Sequence, residues 1–201
     1  MSSDLRIKYE MILCHEEQFA YALAKNVVEK PEASAWLILV PILFVHHFMM
    51  IKEYKIGVRT FAESILSTKQ KALNKAYIET ESGKKVRYEI EDYFPEVSLI
   101  TKEEVILAQK EIQVINVLED HYRAMLVKHG NTFEEWIRKV YPGPEKYRYF
   151  LNRLAEREKK VIQYLMDNFH RSEESRKVAR KIEQQCEELR KQELRIFFQQ
   201  K

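Results

Sequence analysis

The chain has 201 residues, 45% hydrophobic and 32% charged, with a formal net charge of +3. That length suits one domain, or one domain with an appended helix, and can bury a sizeable core. The positive excess is slight and both signs are interspersed, which argues against a dedicated nucleic-acid binder. The two cysteines, Cys14 and Cys186, lie far apart and outside any Cys-x-x-Cys pattern, which argues against a disulfide framework or zinc knuckle and fits a reducing compartment.

Four glycines and five prolines leave few turn signals, and Glu, Lys, Arg, Leu, Ile and Ala favour helix. The expected fold class is therefore mainly α, a bundle of about six helices. Leu5, Tyr9, Ile12, Phe19, Leu23 and Val27 form the stripe of a first helix over residues 5–29. Pro31 ends it and suits the first turn of the next. No basic-then-apolar leader opens the chain.

The second helix carries the most unusual stretch, the nineteen uncharged residues Ala33 to Ile51. As helix this run rises about 28 Å, close to the hydrocarbon core of a bilayer. Trp36 at one end, and Lys52 with Lys55 past the other, read as interface anchors. Pro41 removes one N–H and crowds the carbonyl of Leu37, so a kink is expected there. The run then continues as an amphipathic helix through Tyr54, Val58, Phe61, Ile65, Ala72 and Ala76. The element reads as one long kinked helix, hydrophobic and then amphipathic, with three environments open to it: spanning a membrane, re-entering one, or forming the core of a bundle. In the first two, Trp36, Leu37, Ile38, Leu39, Val40, Pro41, Ile42, Leu43, Phe44, Val45 and Phe48 contact lipid. The lysines and arginine after the run then place the rest of the chain on the cytoplasmic side; in the third the protein is cytoplasmic.

Val86, Tyr88 and Ile90 alternate with charged residues, a period of two that suggests a short β-hairpin around residues 76–90, turning at Ser82-Gly83. Thr101 with Glu104 forms a capping box ahead of a helix whose stripe runs Val105, Ala108, Ile112, Ile115, Tyr122 and Leu126. A second box, Thr132 with Glu135, starts a short helix burying Phe133, Trp136, Ile137 and Val140, and Pro142-Gly143-Pro144 stops it. The last sixty residues read as one or two helices. Tyr147, Phe150, Leu151, Leu154, Val161 and Leu165 form a core stripe, and beyond His170 the stripe thins while the charge rises. The domain reading is a helical domain over 1–170 and a charged helix over 171–201, packed on that domain or presenting Val178, Ile182 and Leu189 to a protein partner or a second copy.

Chemical motifs are sparse. No Gly-rich phosphate loop, His-Glu-x-x-His or Gly-x-Ser-x-Gly is present, and Glu-x-x-His pairs for a di-iron bundle are missing. His15 and Glu16 in the first helix and His121 in the fourth segment are the candidate metal ligands, because imidazole and carboxylate are the donors a helical site would use. His46 and His47, adjacent on a helix, point about 100° apart and do not share a metal. Arg171, Arg176, Lys177, Arg180 and Lys181 would serve nucleic acid, but the interleaved acids oppose it. No cofactor is expected. The sequence is best read as a membrane-associated helical accessory, adaptor or scaffold protein without catalytic motif. The alternative is a soluble helical bundle, with the hydrophobic helix as its core, enclosing a ligand or metal site.

Overall fold

A computed structural model describes residues 3–28, 41–85, 101–169 and 172–198, with the backbone alone for residue 3 and for 41–52. Among the described residues all regular structure is helical: α1 (Ser3–Val27), α2 (Pro41–Ser82), α3 (Lys102–Leu126), α4 (Phe133–Val140), α5 (Pro144–Asn168) and α6 (Glu173–Phe198).

Local chemistry sets the boundaries. Thr101 Oγ1 accepts from Glu104 N at 3.2 Å and Thr101 N donates to Glu104 Oε2 at 2.8 Å, the reciprocal box that opens α3. At α4, Thr132 Oγ1 accepts from Glu135 N, but the Glu135 carboxylate turns to Asn131 N at 2.9 Å. Gly143, at φ 107, and Pro144 start α5. Gly130 has φ 150, and a Cβ there would lie 2.9 Å from the Trp136 ring, so only glycine lets the chain pass the indole.

The hairpin expected at residues 76–90 is not formed: residues 76–82 are the last turns of α2, and Gly83, at φ 68, caps the helix by donating to Glu79 O at 2.9 Å. The alternation of Val86, Tyr88 and Ile90 lies outside the described residues. The helical register of 76–82 is hard to see by hydropathy because its inward positions include Glu79, buried and ion-paired to Arg123 at 2.7 Å. The kink expected at Pro41, against the carbonyl of Leu37, also lies outside what is described, since α2 is followed only from Pro41. Of the lipid-contact candidates, Trp36, Leu37, Ile38, Leu39 and Val40 fall outside the described residues. Pro41, Ile42, Leu43, Phe44, Val45 and Phe48 belong to the first turns of α2, where the backbone alone is described. Among the described residues no helix is long and apolar enough to cross a membrane.

Five helices close into a ring. α2 packs on α1 and on α3, α3 on α5, α5 on α6, and α6 back on α1, while α4 packs against α1, α3 and α6. Side-chain pairs give the directions. Tyr9 with Asn74 and Glu16 with Lys69 make α1 and α2 antiparallel. Lys75 with Glu119 and Glu79 with Arg123 make α2 and α3 parallel. His15 with Glu193, and Leu23 and Val27 against the Ile182 to Leu189 stretch, make α1 and α6 antiparallel, as Glu158 with Arg190 and Tyr147 with Phe198 do for α5 and α6.

One end of the ring is solid. Ile12, Leu73, Ile115, Tyr122, Met125, Trp136 and Ile137 are almost wholly buried there, with Tyr147, Phe150 and Phe197 around them. The other end is thinner. Small Ala20, Ala24 and Ala62 bring α1 and α2 close, and Phe19, Leu23 and Val27 meet Ile182 and Leu189 of α6.

Candidate functional site

A layer of charged and polar side chains crosses the middle of the ring. Glu16 on α1 is 7% exposed and ion-paired to Lys69 on α2, and Tyr122 Oη on α3 donates to its other oxygen at 2.8 Å. Burial alone would raise the Glu16 pKa. The positive charge of Lys69, the neighbouring His15 and the two hydrogen bonds outweigh it and hold the carboxyl at about 2. Lys69 also lies 4.0 Å over the Phe19 ring.

His121 is buried and stacks on Phe150 at 4.2 Å, with Nδ1 2.8 Å from Tyr141 Oη. Burial pushes its pKa down to about 3 despite the attraction of Glu16, so the ring is a neutral core histidine. His15 stacks on Phe133 at 3.8 Å and meets Glu193 of α6 at 2.9 Å.

The candidate ligands His15, Glu16 and His121 are thus brought together, around a cavity of about 20 Å³ that also touches Lys69 and Arg190. That volume has room for little more than a water molecule. Among the described residues, no group of three or more His, Cys, Asp or Glu side chains could hold a metal ion. The layer supplies cations of its own, and each candidate is bonded to a protein partner.

Next to this layer, towards the thinner end, the ring helices border a larger, part-open space of about 310 Å³, lined by side chains from α1, α2, α3, α5 and α6. Its walls are mostly apolar, with Phe19, Leu23, Phe61, Ile65, Val161 and Leu165 prominent, and Lys69 and Glu158 stand at the side of the polar layer. Glu111 is the further carboxylate on its wall; burial raises its pKa, partly offset by the charge of Lys71. A largely apolar space with few polar groups, at the lower end of the usual volumes, has the character of a small-molecule site.

Outside the ring, α5 and α6 border a groove of about 410 Å³. Glu158, Ile162, Ile182 and Cys186 line both spaces. Across this wall Arg190 Nη2 donates to both Glu158 oxygens, at 2.7 and 2.8 Å. Burial raises the Cys186 thiol to about 11, so it stays protonated at neutral pH.

Among the proposed partner contacts, Val178 is 47% exposed, whereas Ile182 and Leu189 pack against Phe19, Leu23 and Val27 of the same chain. The seam read from the sequence is therefore occupied, at those two positions, by α1. Lys69, Glu158 and Arg190 were not among the candidates. Each sits where an apolar stripe calls for an inward residue: Lys69 follows Ile65 by four, Glu158 follows Leu154 by four, and Arg190 follows Cys186 by four. A charge interrupting a stripe was the available signal.

Comparison with protein-family models, with curated proteins and with solved structures finds no match to this chain.

Proposed function

We propose that the protein is a non-catalytic helical binding protein whose central cavity takes a small, largely apolar molecule. The observation that carries the reading is the space of about 310 Å³ to which all five ring helices contribute apolar side chains. The polar groups near it point to binding rather than bond-breaking. Glu16 is engaged by Lys69 and Tyr122, and Glu158 by Arg190. His121, neutral and bonded to Tyr141, serves the core.

Cys186 on the cavity wall is a built-in reporter, and the exposed Cys14 is removed by Cys14→Ser. In that background the full chain is titrated with a fluorescent apolar probe, and the rate of Cys186 modification by a thiol reagent is followed. Saturating probe is expected to slow modification severalfold, and Val161→Trp, which fills the space from a half-buried position, to abolish probe binding while the helical circular dichroism is kept. Absence of saturable probe binding, or binding that Val161→Trp leaves intact, would refute the reading.

The uncharged run Ala33 to Ile51 favours a second reading, an accessory, adaptor or scaffold protein held at the cytoplasmic face of a membrane. Carbonate and then detergent extraction of cells carrying the full chain tests it. Recovery as monodisperse protein without detergent removes this reading and leaves the first untouched.

A further inference from the structure

The three charged side chains on the wall of the part-open space differ in what already holds them. Lys69 is ion-paired to Glu16, and Glu158 accepts from Arg190 with both oxygens. Glu111 of α3 is half-buried and makes no hydrogen bond or ion pair among the described residues. Lys71 acts on it through its charge but is not one of the side chains that line the space. A carboxylate drawn out of water against apolar neighbours costs free energy unless something bonds to it, and an acid so placed in a cleft is a candidate for ligand contact.

Two hydroxyls on α2 extend this polar spot. Lys75 with Glu119 and Glu79 with Arg123 set a register of 44 positions between the parallel helices, which brings Glu111 level with residue 67. Thr68 adjoins that level and Ser64 lies one turn away. Both line the same space, and neither hydroxyl is bonded among the described residues. Resting on the reading of this space as a ligand site, we propose that its occupant is an alkyl amine, with the ammonium held by Glu111, Thr68 and Ser64. The alkyl chain lies against Phe19, Phe61, Ile65, Val161 and Leu165.

An ammonium has three donors and no acceptor, which matches a carboxylate flanked by hydroxyl oxygens. An anionic head is disfavoured, because it would face Glu111 in a poorly solvated space while the Lys69 charge is already opposed by Glu16. A metal ion is not served either, since among the described residues no three His, Cys, Asp or Glu side chains gather to hold one.

The test uses the full chain at about pH 8, where an alkyl ammonium is protonated and an alkyl carboxylate ionised. Octylammonium, octanol and octanoate compete with the fluorescent probe. Octylammonium is expected to bind about tenfold more tightly than octanol, the gain of one charged hydrogen bond, with octanoate weakest. Glu111→Gln keeps the side chain's size and removes its charge. It is expected to erase the advantage of the amine and leave octanol binding unchanged, whereas Glu183→Gln, in the outer groove, preserves the advantage. Equal binding of amine and alcohol, octanoate as the tightest of the three, or a Glu111→Gln protein that keeps the tenfold preference would overturn the amine site while the cavity reading stands. So would a preference lost equally in Glu183→Gln, or failure of all three to displace a bound probe. A probe that itself fails to bind would remove the cavity reading with it.

Discussion

The two ends of the helical ring are made by the same helices but are filled differently. At one end Tyr122, Trp136, Tyr147, Phe150 and Phe197 meet in the middle, and α4 supplies two of the most buried side chains, Trp136 and Ile137. At the other, alanines draw α1 and α2 together, and beside them Phe19, Phe61, Ile65 and Val161 border a part-open space of about 310 Å³. A helical ring does not collapse on its own. Its backbone positions are shared along the whole length, so side-chain volume at inward positions decides whether an end becomes core or cavity.

That contrast breaks most visibly at Trp136. Trp136→Ala empties the filled end and is expected to cost about 3–5 kcal/mol in urea or thermal unfolding. Ile65→Ala, on the cavity wall, should cost less, because its side chain is only half-buried and lacks neighbours on one side.

The polar layer between the ends comes next. Glu16→Leu leaves the Lys69 ammonium buried without its carboxylate and should cost about 3 kcal/mol. Adding Lys69→Leu should recover most of that loss, since two packed apolar side chains need no counter-charge. A double-mutant cycle by chemical unfolding reads both.

Acid should weaken this layer in two stages. His121 is lowered from 6.5 to about 3, so between these values the unfolded chain binds a proton that the folded one refuses, and stability falls as pH falls below about 6.5. Glu16 is lowered from 4.5 to about 2, so its contribution is complete above 4.5 and is lost towards 2. The expected loss approaches about 1.4 kcal/mol per pH unit for one proton, and steepens once Glu16 joins. His121→Leu should flatten the slope between pH 6.5 and 4.5 in unfolding titrations.

The smallest effect sharpens the contrast most. Val161→Phe adds volume at the cavity wall and is expected to change stability by less than about 1 kcal/mol, whereas Ile115→Phe overpacks the filled end and should cost about 1–3 kcal/mol. Equal costs in thermal unfolding would mean that the two ends are equally full.

Much of the helical scaffold was legible because its signals are local. Thr101 with Glu104, Gly143-Pro144 and the stripes through Ile12, Leu23, Tyr122 and Leu154 need only neighbouring residues to be read. The end of α2 was not, since its inward face carries Lys75 and Glu79, whose burial depends on Glu119 and Arg123 in α3. Of the polar layer, His15, Glu16 and His121 were visible as reactive types, but their role was not. Lys69 and Arg190, which engage carboxylates there and in the adjoining wall, come from α2 and α6 and only a three-dimensional arrangement pairs them. The cavity had no local signal at all, being a deficit of volume summed over five helices.

Ring closure by α6 also has a kinetic meaning. The contact of His15 with Glu193 joins positions 178 apart in sequence, and α1 therefore waits through the synthesis of every intervening helix with one flank uncovered. Phe19, Leu23 and Val27 are that flank. A helical protein of this size would ordinarily fold quickly through near neighbours, but closure across nearly the whole chain raises the loop entropy to be overcome and makes α1 with α6 the expected late pairing. Until then, the face that finally encloses the cavity is an open apolar strip, the part of the molecule most exposed to misassociation during folding.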